Sequence, residues 1–218
     1  MLYEKTADFI FKTTAKRIKD RKKELGFTYY NIMGYDSKVS YELSRKEYDY
    51  NMVQKIANEK TSRNNPYLLT DKYAYLFKEA LDLYSYHDLY WGTDDEIKAY
   101  SEDLFYHLLE DMKKDPLTKR NIADLLNLKS KEGIYNTLSE KFFEIFYQFT
   151  KGKSIEYYDF DIVDDKDNKA YSPHNEKLKF SDEGTLSFKK LDMNIEKFAQ
   201  ERLFLILTGE MVTALAGL

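Results

Sequence analysis

The sequence predicts a mainly α-helical protein that carries a small antiparallel β-sheet of two or three strands in its C-terminal part. Apolar residues recur at helical spacing through most of the chain up to about residue 149. Gly and Pro, which interrupt helices, number only 8 and 3 among 218 residues. Further on, Tyr158, Phe160 and Ile162 alternate with Asp159 and Asp161, which is the period of a half-buried strand.

The composition indicates a globular protein of the cytoplasm. A hydrophobic content of 43% is enough for a substantial core. The chain has no Cys, which removes disulfides, thiolate nucleophiles and cysteine-ligated zinc, so nothing favours an oxidising compartment. The most apolar stretch, Leu203 to Leu218, is about a turn short of a bilayer span and contains Glu210, so we expect a soluble protein.

Charge is distributed unevenly along the chain. Residues 1–65 hold 14 Lys and Arg against 9 Asp and Glu, whereas residues 66–218 hold 20 against 29. An N-terminal part that attracts phosphate and a C-terminal part that repels it suggest a DNA-facing domain joined to a domain with another task, although chance clustering is the alternative. We place the domains at 1–88 and 89–218.

The first strongly patterned segment is a cationic helix that ends at a glycine. Six of the eight residues 16–23 are Lys or Arg, while Ala15, Ile18 and Leu25 leave one apolar face. Gly26 is placed to end the helix in a left-handed turn, and Thr28 to cap a short helix through Ile32.

A second short helix is predicted from Tyr50 to about Asn58, with Asp49 as its N-cap. Its inward face would be Val53 and Ile56. Asn and Gln bond adenine edges, Lys suits guanine acceptors, and Tyr contacts phosphate or a thymine methyl group. The outward face that carries this chemistry consists of Tyr50, Asn51, Gln54 and Lys55. Lys60 and Arg63, just after this helix, would contact the DNA phosphates.

These segments together resemble the Xre or lambda-repressor-like helix-turn-helix family over the first 70 to 80 residues. The residues that carry the resemblance are Arg17-Ile18-x-x-Arg21-Lys22-x-x-x-Gly26-Phe27-Thr28, then Val53-x-x-Ile56, then Asn65-Pro66. The resemblance implies a five-helix domain that binds operator DNA, usually as a dimer. It also implies that Thr28 and Tyr29 meet phosphate while Tyr50, Asn51, Gln54 and Lys55 face the bases.

The chain departs from the family pattern by an insertion at residues 36–48. The insertion would extend a helix or reach the DNA backbone, or it would form a solvated loop. The complete predicted DNA-binding set is Lys16, Arg17, Lys22, Lys23, Thr28, Tyr29, Tyr50, Asn51, Gln54, Lys55, Lys60 and Arg63. The alternative is a helix-turn-helix that serves only packing or protein binding.

The remaining chain predicts further helices and then the sheet. One helix is expected over residues 71–86. Another begins at a Thr93 cap and continues through Leu104, Leu108 and Met112. An aromatic helix face at residues 142–149 is expected to belong to the core. Residues 117–138 form either a second helix-turn-helix or an ordinary helical hairpin. Further strands are expected near residues 178–180 and 186–188. A final helix at 194–216 would be buried by its own domain or by a partner subunit.

Nothing in the sequence favours catalysis, a cofactor or a metal. His87, His107 and His174 are scattered, and no phosphate-binding glycine loop or serine elbow is present. The acidic turn that contains Asp161 and Asp164 lacks the glycine and the bidentate glutamate of a calcium loop. We therefore expect a protein that is not an enzyme.

The sequence thus predicts a sequence-specific transcriptional regulator, from a phage, plasmid or other mobile element of a low-GC bacterium. Its partner would be double-stranded DNA bound by a homodimer, with a peptide or protein as a further partner of the C-terminal domain. One alternative is a mobile-element inhibitor of a host defence nuclease whose helix-turn-helix domain regulates its own gene. Another is a purely structural interaction protein.

Overall fold

The protein is mainly helical, as predicted. The computed structural model describes residues 3–59, 69–114, 132–150, 155–165 and 168–178, and for the last two ranges it describes the backbone only. These residues contain eight helices. In chain order they are α1 (Glu4–Glu24), α2 (Tyr29–Ile32), α3 (Lys38–Leu43), α4 (Tyr50–Ala57), α5 (Asp71–Ala80), α6 (Tyr86–Tyr90), α7 (Ile97–Met112) and α8 (Glu132–Thr150).

Two strands follow the helices and form an antiparallel hairpin. Strand β1 (Ile155–Asp165) pairs with β2 (Asn168–Leu178) in a register that runs from Ile155 opposite Leu178 to Asp165 opposite Asn168. The sheet of two or three strands stays a prediction, because its segment at 186–188 lies outside the described residues. The predicted helix at 194–216 lies outside them as well.

Helix α1 lies at the centre of the helical part. It packs against α4, α6 and α7, and α7 in turn packs against α8. Ile10, Phe11 and Ile18 of α1 are buried in one apolar cluster that continues through Phe105 of α7 to Phe146 of α8. A domain boundary between residues 88 and 89 stays a prediction, and it would fall within α6, whose Leu89 and Tyr90 belong to this cluster.

The amino end of α1 is capped by a side chain from another helix. Its own N-cap residue, Tyr3, makes no side-chain cap. Instead, Asp111 of α7 is fully buried and accepts hydrogen bonds from the Thr6 amide (2.7 Å), the Thr6 hydroxyl (2.9 Å) and the Lys5 amide (3.3 Å). A carboxylate at this position both pairs amides that the helix leaves unpaired and complements the positive end of the helix dipole.

Aromatic rings join α7, α8 and the segment after α6. Phe142 of α8 stacks on Phe105 at 5.2 Å, and the edge of Phe146 meets Trp91 at 5.2 Å. Leu104, Leu108 and Met112 are buried on α7, which confirms the predicted apolar stripe. Burial of Phe142 and Phe146 likewise confirms the aromatic face of α8 as core.

The prediction of one helix over residues 71–86 was wrong. Helix α5 ends at Ala80, Asp82 adopts a left-handed conformation with φ of 53°, and the Leu83 amide bonds the Lys78 carbonyl at 3.0 Å. This closing bond ends the helix, and Ser85 then caps α6. Tyr84, which the predicted helix would have included, is 96% exposed in the turn between α5 and α6.

The helix predicted to start at Thr93 starts later, at Ile97. Gly92 with φ of 87° turns the chain, and the Glu96 side chain accepts a hydrogen bond from the Thr93 amide (3.1 Å), so residues 94–96 form a turn. Of the pattern at 117–138, residues 117–131 lie outside the described residues, and the remainder belongs to α8.

Candidate nucleic-acid interface

The joint between α1 and α2 has the predicted geometry. Gly26 is left-handed with φ of 65°, and the Phe27 amide bonds the Lys22 carbonyl at 3.0 Å. The Thr28 hydroxyl accepts from the Asn31 amide (3.2 Å), and the Asn31 side chain accepts from the Thr28 amide (2.8 Å). This reciprocal cap fixes the direction of α2 and confirms Thr28 as its N-cap.

A second tight joint, between α2 and α3, leads into the predicted insertion at residues 36–48. Gly34 has φ of 82°, and the Tyr35 amide bonds the Tyr30 carbonyl at 2.9 Å. Ser37 then caps α3 reciprocally with Ser40. Neither the helix extension nor the plain loop expected for residues 36–48 is present, because the structure has a separate helix preceded by a five-residue turn, 33–37. The Gly34 and Ser37-x-x-Ser40 signals were present in the sequence and mark this helix.

Helix α3 is attached to the protein mainly through Tyr41. This side chain is buried, and its ring lies 5.7 Å from that of Tyr30. Its hydroxyl accepts from the Tyr50 amide (3.3 Å) and donates to the Tyr48 carbonyl (3.2 Å). One aromatic residue thus anchors the helix to the start of α4.

The remaining face of α3 is exposed to solvent and mixes apolar with charged side chains. Val39 and Leu43 are 64% and 84% exposed. The Lys38 side chain is 69% exposed and lies 3.7 Å from the Glu42 carboxylate. Arg45 and Lys46 follow the helix and are exposed as well.

Helix α4 is oriented as the sequence predicts. Asp49 accepts a hydrogen bond from the Met52 amide (3.1 Å), which confirms the cap, and Val53 and Ile56 are fully buried, which confirms the inward face. The predicted base-contacting residues then divide into two groups. Asn51, Gln54 and Lys55 are exposed, whereas Tyr50 is half-buried and stacks on Tyr30 with 4.7 Å between ring centroids.

The predicted phosphate contacts at the start of α2 are partly engaged in internal bonds. The Tyr29 hydroxyl accepts from the Asn58 side chain (3.2 Å), and the Lys22 ammonium group lies 4.8 Å from the centre of the Tyr29 ring. Lys22 also donates to the Phe27 carbonyl (3.1 Å). Thr28 is exposed, although its hydroxyl already serves the cap.

Arginines of the cationic helix bond backbone carbonyls at the ends of other helices. Arg17 donates to the carbonyls of Tyr90 (2.6 Å) and Trp91 (3.0 Å), and its guanidinium group lies 4.9 Å from the centre of the Tyr100 ring. Arg21 donates to the Leu81 carbonyl (3.3 Å). These contacts neutralise the negative ends of α6 and α5.

The cations that sequence reasoning assigned to phosphate therefore differ in their availability. The Arg17 side chain is only 20% exposed and its donors are used, so we leave it out of the candidate interface. Lys16 is exposed and forms a 3.2 Å ion pair with Asp20, and Lys23 is exposed. Lys60 and Arg63 lie outside the described residues.

Comparison with known proteins finds no matching family model, no matching curated protein and no matching solved structure. In the described ranges, no helix has the length and apolarity needed to cross a membrane. The same ranges contain no group of three or more His, Asp or Glu side chains arranged to hold a metal ion.

Proposed function

We propose that this protein is a cytoplasmic, sequence-specific DNA-binding regulator of transcription. It binds duplex DNA through the segment from α1 to α4 and acts as a homodimer. A two-fold dimer would place its reading helices about 34 Å apart on one face of the DNA. The basic N-terminal part of the chain supports this proposal, because phosphate contacts supply most of the affinity of such proteins for DNA.

The observation that carries the proposal is the succession of α2 and α3 across a tight glycine turn. A helix-turn-helix joins two short helices through such a turn, and its second helix enters the major groove while the first crosses the backbone. Here the helix after the turn is α3, which exposes Lys38, Val39 and Leu43. Val39 and Leu43 offer apolar contacts for thymine methyl groups, and Lys38 offers a donor for guanine.

Helix α4 is the alternative reading helix. It is the helix that the sequence pattern favours, and its exposed Asn51, Gln54 and Lys55 have suitable chemistry for base edges. It does not follow α2 directly, because α3 stands between them in the chain. We therefore assign base reading to α3 and contacts to the neighbouring backbone to α4.

The experiment is a mobility-shift titration of the full chain at near-physiological salt. The probes are the duplex upstream of its own gene and an unrelated duplex of equal length. We expect a preference of ~10³ or more for the upstream duplex, the size typical of specific readers. Equal and weak binding to both duplexes would contradict the proposal.

Two matched double variants separate the reading helices. Lys38→Ala with Val39→Ala removes exposed side chains of α3, and Gln54→Ala with Lys55→Ala removes exposed side chains of α4. We expect the α3 variant to lose about 10- to 100-fold in preference between the two probes, since base contacts are worth about 1–3 kcal/mol each. The α4 variant should weaken binding to both probes alike, and the reverse result would assign base reading to α4.

A further inference from the structure

A groove of about 560 Å³ lies between α7 and α8, and its lining contains no residue of the candidate DNA interface. Its deeper part contains the half-buried rings of Tyr106, Tyr135 and Phe143. Acidic and polar side chains from both helices surround its opening. The exposed residues of this rim are Lys98, Glu102, Asp103, Asn136 and Glu140.

The rim carries a net negative charge. The rim contains three carboxylates, Glu102 and Asp103 on α7 and Glu140 on α8, and one cation, Lys98. In the described part of the chain, none of these three carboxylates forms a salt bridge. Burial, followed by the nearby Tyr106, Asp103 and Glu102, raises the pKa of Tyr135, as expected in a region of negative potential. The groove therefore favours a cation.

A buried hydroxyl in the same groove lacks a hydrogen-bond partner. Ser139 of α8 is 6% exposed and lines the groove, and its Oγ has no partner among the described residues. Buried polar atoms are nearly always paired, and an unpaired one costs about 1–3 kcal/mol. A ligand that donates a hydrogen bond at the base of the groove would supply the missing partner.

We infer that this groove binds an arginine side chain of a protein partner, presented on an extended basic segment. The guanidinium group would lie against the rings of Tyr135 and Phe143, bond the carboxylates of the rim and donate to Ser139 Oγ. The volume exceeds that of a single side chain, so the neighbouring backbone of the segment also enters the groove.

Arginine suits this arrangement better than lysine. Its planar guanidinium group stacks on aromatic rings while its five N–H donors point outward in the guanidinium plane, so it can bond carboxylates and a hydroxyl at once. The ammonium group of lysine is a more strongly hydrated point charge with three donors. The inference does not depend on DNA binding, because the groove shares no residue with α1 to α4.

The test is fluorescence anisotropy with the full chain and labelled nine-residue peptides that alternate Gly with Arg, Lys or Glu. We expect the Arg peptide to bind, the Lys peptide to bind several-fold more weakly and the Glu peptide not to bind. Glu102→Gln with Asp103→Asn should weaken Arg-peptide binding about tenfold, the equivalent of 1.4 kcal/mol. Glu79→Gln with Asp95→Asn makes the same charge change at exposed positions outside both the groove and α1 to α4, and it should leave binding unchanged.

Ser139→Ala distinguishes a ligand contact from a structural role. Because it removes an unpaired buried hydroxyl, we expect the melting temperature to stay equal or rise, while Arg-peptide binding weakens by several-fold. No binding of the Arg peptide, an equal loss in the two double variants, or unchanged affinity in Ser139→Ala would each overturn the inference. Mobility shifts of the same variants on DNA should match the wild type in every case.

Discussion

Helices α1 and α3 differ in what their charged residues do. Helix α1 carries the densest run of cations in the chain, yet its Arg17, Arg21 and Lys22 donate to backbone carbonyls. Helix α3 carries far fewer charges, yet almost its whole outer face is exposed to solvent. The charge density of a segment therefore does not identify a nucleic-acid surface by itself. A cationic side chain can bind phosphate only if its N–H donors are not already bonded to carbonyls at the ends of other helices.

The same comparison separates stability from binding. Because α1 is bonded at its amino end by Asp111 and bonds the end of α6 through Arg17, changes there should affect the free energy of unfolding. Because α3 is held mainly by Tyr41, changes on its outer face should leave that free energy unchanged. Four predictions test this separation, and they follow in order of decreasing effect.

The largest effect is expected for Asp111→Ala. The change leaves the amide and hydroxyl of Thr6 buried without an acceptor, so we expect a loss of about 3 kcal/mol in the free energy of unfolding. Urea denaturation followed by circular dichroism measures it. Asp8→Ala is the matched control, because Asp8 forms an exposed pair with Lys12 and should cost no more than about 0.5 kcal/mol. Equal losses in the two variants would refute the role of the cap.

Arg17→Ala should cost about 2 kcal/mol, because two carbonyls at the end of α6 lose their donors. Arg17→Lys keeps the charge but cannot span both carbonyls, so we expect it to recover only part of the loss. The control Lys16→Ala changes an exposed cation one position away and should have an effect within about 0.5 kcal/mol. If Lys16→Ala destabilised the protein as much as Arg17→Ala, the assignment of Arg17 to a stabilising contact with the end of α6 would be contradicted.

Gly92→Ala should destabilise by about 1–2 kcal/mol, since Gly92 has φ of 87°. An added Cβ would also collide with the Glu96 carboxylate and lie 3.0 Å from Arg17 Nε. Gly26→Ala is the control, because Gly26 is left-handed too but has nothing within 4 Å of the added atom. Denaturation midpoints of the two variants measure the difference, and a smaller loss for Gly92→Ala than for Gly26→Ala would contradict the prediction.

The smallest effect on stability is expected for Leu43→Ser on α3. This side chain is 84% exposed, so its removal should change the free energy of unfolding by less than about 0.5 kcal/mol. The same variant should weaken binding to the upstream duplex if α3 reads DNA. A thermal melt and a mobility shift on one preparation give both results. A large drop in melting temperature would mean that Leu43 packs against another part of the protein.

Local signals in the sequence predicted much of this architecture. The Gly26 turn, the caps at Thr28 and Asp49 and the buried face of α4 all depend on residues within a few positions of one another. The stripe of α7 was predicted for the same reason. A short helix such as α3 was not predicted, because six residues are too few to establish an apolar period. Gly34 before it and the Ser37-x-x-Ser40 pair at its start were the available signal.

The contacts that exclude Arg17 from the candidate interface depend on residues far apart in the chain. Arg17 bonds Tyr90 across 73 positions, and no helical period relates the two residues. The sequence therefore predicted that Arg17 contacts phosphate, whereas in the fold Arg17 bonds carbonyls at the end of α6. Likewise, the groove between α7 and α8 is formed by residues of two helices that are separate in the sequence. Such sites become visible when the packing of whole helices is known.

The bond between Thr6 and Asp111 also bears on the order in which the chain is made. The two residues are 105 positions apart, so a ribosome synthesises most of the helical part before the carboxylate that caps α1 exists. Until then the apolar side of α1 that packs against α7 stays uncovered. The nascent chain thus exposes its first helix longest, and a translational pause before residue 111 would prolong that exposure.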